Sequence, residues 1–145
     1  MLITITQAEK IRKLRHRNLR NDQPFSSTSY KRDNESETFH LAAIKDNKII
    51  SCATFYPQKT NILSSEKAYR LRGMATDKEF RKKGVGKKII LKAFDEIKKR
   101  KGDLIWCKAR LVAVDFYKKL GLQIIGEKFD IQGIGPHFLM YKNLL

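Results

Sequence analysis

The stretch Leu71-Arg72-Gly73-Met74-Ala75-Thr76, followed by Asp77-Lys78-Glu79-Phe80 and Arg81-Lys82-Lys83-Gly84-Val85-Gly86, decides how this chain reads. A short apolar run leads into a basic, glycine-containing turn, and a helical pattern then continues towards Lys101. Two glycines let the backbone turn sharply and expose its N–H groups. The helix start adds unsatisfied donors and the positive end of its dipole. A strand, a turn and a helix in this order predict an anion site. Past the turn, Val85, Ile89, Ile90, Ala93, Phe94 and Ile97 share one helix face, and Lys87, Lys88, Lys92, Lys98 and Lys99 occupy the rest. Gly73 interrupts the preceding strand, as expected for a bulge or a close approach by another molecule.

Upstream, Leu2 to Ile5 is a short β-rich run. Thr6 and Glu9 have the spacing of a capping box, and Ala8, Ile11 and Leu14 follow at helical intervals until the pattern fades near Leu19. Arg12, Lys13, Arg15, Arg17 and Arg20 are expected on the opposite, solvated face. Residues 21 to 36 are polar and predict a loop or a poorly formed second helix, long enough to cover a cleft. Glu37 to Lys45 and Lys48 to Tyr56 predict a hairpin turning at Asp46-Asn47, and Lys67 to Thr76 predicts the next strand. Downstream, Asp103 to Cys107 predicts a buried strand and Arg110 to Leu120 a helix stopped by Gly121. Leu122 to Ile131 and His137 to Lys142 predict two closing strands. The order β, α, loop, β, β, β, α, β, α, β, β implies a mixed sheet flanked by helices in one domain over residues 1–145.

Composition sets the bounds. With 145 residues, 41% of them hydrophobic, the chain has the size and apolar content of one globular domain. Lys plus Arg number 31 against 15 Asp plus Glu, a formal net charge of +16, which suits an acidic partner or a lysine-coated surface. Cys52 and Cys107 form no CxxC pair and His16, His40 and His137 are scattered, so no metal site is expected and the two thiols are expected free and buried. No apolar run approaches the roughly 20 residues of a membrane span, and the start of the chain lacks the pattern of a signal peptide. A cytoplasmic protein is expected.

The element order, the Arg81-Lys82-Lys83-Gly84-Val85-Gly86 turn and the run Phe116-Tyr117-Lys118-Lys119-Leu120-Gly121-Leu122 together resemble the GNAT superfamily of acyl-CoA-dependent N-acetyltransferases. The turn fits the family signature of Gln or Arg, two residues, Gly, one residue, then Gly or Ala. The later run is similar to its FYxKxGF segment, with Ala113 at the usual alanine four residues before the tyrosine. The resemblance covers nearly the whole chain. It implies a central, mostly antiparallel, twisted mixed sheet of about seven strands, splayed in the middle by a bulge for which Gly73 is placed. It also implies acetyl-CoA as cosubstrate, a small-molecule or peptide amine as acceptor, and a homodimer as a common state.

The residues suit that chemistry. Backbone N–H groups from Lys82 to Lys87, including Gly84, Val85 and Gly86, can hold a pyrophosphate, and the side chains of Arg81, Lys82, Lys83 and Lys87 deepen the potential. Pantetheine carries amides and pairs like an added strand, for which Met74, Ala75 and Thr76 would offer main-chain groups. An N–H near Met74 would polarise the thioester carbonyl. Tyr117 is the acid that the resemblance implies for the departing thiolate, since a phenol of pKa about 10 is close to a thiol of about 8.5.

Two departures stand out. Relatives often carry a glutamate base on the strand before the turn, and no acid lies between Lys67 and Thr76. His137 is then the main candidate base, beside Glu127, His40 or a water chain. Arg110 stands where the family often has an asparagine that touches the cofactor, and arginine would instead bind a cofactor phosphate or an acidic substrate. Residues 20 to 36 and 131 to 137 are expected to frame the acceptor site. Competing readings are an acyl-CoA sensor without turnover, favoured by the missing base, and a basic nucleic-acid-binding module, which lacks any recognition motif. The excess positive charge argues against a polycationic acceptor.

Overall fold

The structure is a computed structural model describing residues 1–145. Seven strands form one sheet: β1 (Leu2–Thr6), β2 (Phe39–Lys45), β3 (Lys48–Pro57), β4 (Ala68–Thr76), β5 (Leu104–Arg110), β6 (Gln123–Ile131) and β7 (Gly135–Asn143). Their hydrogen-bonded order is β1-β2-β3-β4-β5-β7-β6. Three helices accompany them, α1 (Ala8–Leu19), α2 (Val85–Lys99) and α3 (Val114–Lys119). The sheet is mostly antiparallel, and β4 and β5 form its parallel pair, with Ala68 opposite Leu104 and Arg70 opposite Trp106. That register ends at Arg70, three residues before Gly73, whose φ of 62° lies in the left-handed region. The expected mixed, mostly antiparallel seven-stranded sheet is therefore present.

The chain divides into two compact units, residues 1–57 with 71–93, and residues 58–70 with 94–145. β4 and α2 each lend residues to both. In the first unit, Ile11 and Leu14 of α1 pack on Ala42, Cys52 and Ala75. The β2–β3 hairpin turns where expected, with positive φ at both Asp46 (51°) and Asn47 (63°), the conformation that such tight hairpins need. In the second unit, Ala68, Leu104, Trp106 and Leu139 form a buried cluster on one face of the sheet. The Trp106 indole N–H donates to the Gln58 carbonyl at 2.7 Å, so its one polar group is satisfied.

Some local expectations change. The capping box does not form: Gln7 is the N-cap of α1 and makes no side-chain cap bond, because Thr6 is still in β1, opposite His40. Arg15 leaves the solvated face of α1 and is fully buried, since it stands one turn beyond Ile11 on the inward side. Residues 21–36, by contrast, are the expected loop, with a short 3₁₀ turn at Phe25–Thr28. The strand expected to end at Cys107 runs on to Arg110, because Lys108, Ala109 and Arg110 pair with Leu139, Phe138 and His137 of β7. The following helix accordingly begins at Val114 rather than Arg110.

Candidate active site

The glycine turn of the first unit has the geometry of an anion cradle. Lys82 (φ 61°) and Gly84 (φ 81°) are both left-handed and flank Lys83, and such alternation turns successive N–H groups towards one side. Nothing would crowd a Cβ at Gly84, so glycine is favoured there by the backbone angle alone. Lys88 N–H donates to the Gly84 carbonyl at 3.2 Å, which leaves the N–H groups of Val85, Gly86 and Lys87 without acceptors inside α2. The side chains of Lys82, Lys83 and Lys87 are exposed around them.

Arg81 is differently engaged. Its Nε donates to the Thr76 carbonyl at 2.8 Å and its terminal nitrogen donates to Asn18 Oδ1 at 3.0 Å. Asn18 in turn donates to Asp77 Oδ1 at 2.7 Å, and Arg17 grips the same carboxylate at 2.8 and 2.7 Å. The Arg17 hydrogen bond holds the Asp77 carboxyl below its ordinary range, against a smaller opposing effect of burial. Arg81 thus fastens the end of β4 to α1 and sets the start of the turn. Ser51 of β3 holds the same strand end from the other side of the chain, donating to the Ala75 carbonyl at 2.9 Å and pairing with the Thr76 hydroxyl at 2.7 Å. Met74, Ala75 and Thr76 thus lie on a strand end whose Ala75 and Thr76 carbonyls are both tied down.

Beside Gly73 lies a group of residues that sequence reading assigned to solvent or loop. Buried Arg15 donates to both oxygens of Asp33 (2.7 and 3.0 Å), to the Thr28 carbonyl (2.8 Å) and to the Thr54 hydroxyl (2.6 Å). Burial alone would raise the Asp33 carboxyl; Arg15, with the Tyr30 N–H, holds it below the usual range. The Thr54 hydroxyl lies 2.8 Å from His40 Nδ1, and His40 Nε2 donates to the Asp33 carbonyl at 2.9 Å. Both ring nitrogens of His40 are engaged, and burial pushes its pKa down. That makes it a structural histidine rather than a base.

The Arg15 guanidinium stacks 3.9 Å from the centre of the Tyr30 ring, and those of Arg72 and Arg20 lie 4.6 and 5.6 Å from it. Arg15 was detectable: with Ala8 and Ile11 it forms the i, i+3, i+7 stripe of an inward face. Asp33 and Tyr30 gave no such signal, since irregular chain has no period to read.

The second unit carries the remaining candidates. Tyr117, on the short helix α3, is buried, and burial followed by the nearby Cys107 pushes its phenol well above the ordinary value. Cys107 is itself pushed up to about 12 by burial, as is Cys52 in the first unit, and both are free thiols. Neither has the depressed pKa of a nucleophilic cysteine. Arg110, exposed at the end of β5, stands opposite buried His137 of β7, which in turn faces Phe129 of β6. The His137 ring stacks on Phe129 with centroids 5.9 Å apart. His137 Nδ1 donates to the Gly135 carbonyl at 2.8 Å, which fixes the tautomer and leaves Nε2 as the basic nitrogen. Glu127 is exposed on β6, in the irregular stretch between Ile125 and Phe129.

Comparison with known proteins agrees in kind. The acetyltransferase (GNAT) family matches residues 6–122. The chain is 41% identical over 131 residues, 90% of its length and 88% of the relative's, to the uncharacterized N-acetyltransferase YitI of Bacillus subtilis. In fold it is similar to an aminoglycoside 6′-N-acetyltransferase complexed with coenzyme A, at 16% identity and TM-score 0.80, covering 100% of this chain and 98% of the other. It is also similar to Escherichia coli ElaA, at 14% identity and TM-score 0.78, covering 98% and 99%. At such identities the two structural likenesses speak to the fold alone. No helix is long and apolar enough to cross a membrane.

Proposed function

The chain belongs to the acetyltransferase (GNAT) family, and on that footing we propose that it moves an acetyl group from acetyl-CoA directly to a primary amine, with Tyr117 as acid and His137 as base. The observation that carries this reading is the turn at residues 82–88, where two left-handed residues precede three helix N–H groups without partners. A pyrophosphate is the ligand that such donors suit, with Lys82, Lys83 and Lys87 adding potential and Arg110 meeting a further phosphate. Arg81 is here a positioning residue, because its guanidinium already binds Thr76 and Asn18.

Acetyl-CoA supplies an activated thioester. His137 Nε2 takes the proton that the amine must lose before or during attack. A main-chain N–H at Met74 stabilises the oxyanion that develops on the thioester carbonyl. Tyr117 donates its phenolic proton to the departing sulfur. The raised phenol pKa keeps Tyr117 protonated at neutral pH, so it serves only as a donor.

Thermal unfolding with and without coenzyme A tests the cofactor half, and protection is expected. Tyr117→Phe tests the acid: coenzyme A protection stays while kcat falls about 10²–10³-fold. Unchanged turnover in that variant removes Tyr117 from the role.

A further inference from the structure

We propose that the acceptor amine carries an anionic group, a phosphate or a carboxylate, and that Arg72 and Arg20 recognise it across the face of Tyr30. This rests on the acetyltransferase reading, which gives Met74–Thr76 to the thioester. The amine must then approach within about 3–3.5 Å of the thioester carbon, so residues next to Met74 are within reach of the acceptor.

Three observations converge there. Gly73, left-handed and without a side chain, lets Tyr30 pack directly against β4: a Cβ would meet Tyr30 Cε2 at 3.0 Å and its hydroxyl at 3.4 Å. Arg72 and Arg20 both lie against the same ring, 4.6 and 5.6 Å from its centre. Three acids of this unit, Asp33, Asp77 and Glu35, pair with Arg15, Arg17 and Arg32 rather than with Arg20 or Arg72. Independently, the Nε of Arg15 is buried without a hydrogen-bond partner and lies 3.4 Å from the position a Gly73 side chain would take.

Two guanidinium groups held over one ring are pre-organised for an oxyanion. Their planar forks match carboxylate and phosphate bidentately, and the ring limits the conformations they must give up on binding. A polycationic acceptor would meet like charge instead, and that mismatch discriminates against it.

Matched acceptors separate the possibilities, with thiol release from acetyl-CoA as the readout. Glucosamine 6-phosphate against glucosamine probes a phosphate, phenylalanine against phenylalaninamide probes a carboxylate, and kanamycin probes a polycation. In at least one pair the anionic member is expected to show a kcat/KM at least about tenfold higher, as charged hydrogen bonds of this kind imply. Arg72→Gln is expected to abolish that preference, bringing the ratio within the pair to about one; Arg72→Lys, which keeps charge but loses the fork, restores part of it. The ratio within a pair is insensitive to any loss of folded enzyme.

Preference for kanamycin or for both neutral members overturns the proposal, as does an anionic preference that survives Arg72→Gln. Coenzyme A protection without acetylation of any anionic member also overturns it and leaves the cofactor reading standing. Absence of both protection and thiol release in the unaltered protein defeats the acetyltransferase mechanism itself.

Discussion

The turn at residues 81–87 and the face built on Tyr30 are the two anion sites proposed above, and they are made by opposite means. At the turn the donors are backbone N–H groups, exposed by two left-handed residues and a helix start. At Tyr30 they are guanidinium side chains, assembled from α1, the loop after it and β4 on a buried Arg15–Asp33 pair. A backbone site depends on angles and tolerates many side chains. A side-chain site depends on the identity of each contributor and on whatever holds it in place. The first kind suits a ligand common to a whole family, and the second suits a ligand particular to one member.

Removing the support of the side-chain site should have the largest effect. Asp33→Ala leaves the buried Arg15 charge uncompensated, and breaking such a pair costs roughly 3–5 kcal/mol. A fall of about 10 °C in the melting temperature is expected for a chain of this size. A shift under about 2 °C would show that the network is not what holds the face together.

The turn should respond to angle rather than charge. Gly84→Ala forces a side chain into φ 81°, at a cost of about 1–2 kcal/mol, so coenzyme A affinity should weaken roughly 5–30-fold. Lys83→Ala removes only an exposed charge and should weaken binding less than about fivefold, a difference that shrinks in high salt. If titration with coenzyme A ranks the two variants the other way, the turn works by charge and the contrast fails.

The smallest effect is on pH dependence. Burial lowers the pKa of His40, so below about 6.5 the unfolded chain takes up a proton that the folded chain refuses, and stability declines as pH falls. Asp33 and Asp77, both held below the usual carboxyl range, stay charged in the folded chain and add a further loss below about pH 4. Melting temperatures at pH 7, 5.5 and 3.5 should fall in that order, and His40→Gln should flatten the first step alone.

Legibility followed the same division. The turn, the α2 stripe from Val85 to Ile97 and the Asp46-Asn47 hairpin were readable because each is fixed by neighbours a few residues away. Thr6 misled, since its capping spacing was outweighed by pairing in β1 opposite His40. Arg110 misled in the same way, because pairing with His137, distant in sequence, kept it in a strand. Arg15 falls in the inward stripe of Ala8 and Ile11 but was expected on the solvated face, and nothing local announces that Asp33 neutralises it. At the site, the sequence pointed to Gly84 and Gly73 but not to Tyr30 or Arg72 as partners.

By itself the sequence determined the family, the order of elements and the backbone turn with its glycines, because local angles and helix starts are written in consecutive residues. Only the tertiary structure decided that Arg81 ties Thr76 to Asn18, that His40 is locked by Thr54 and Asp33, and that Tyr30 gathers three arginines beside Gly73. Each of those depends on which polar groups burial brings together, and a buried charge or donor takes whatever partner the packing supplies.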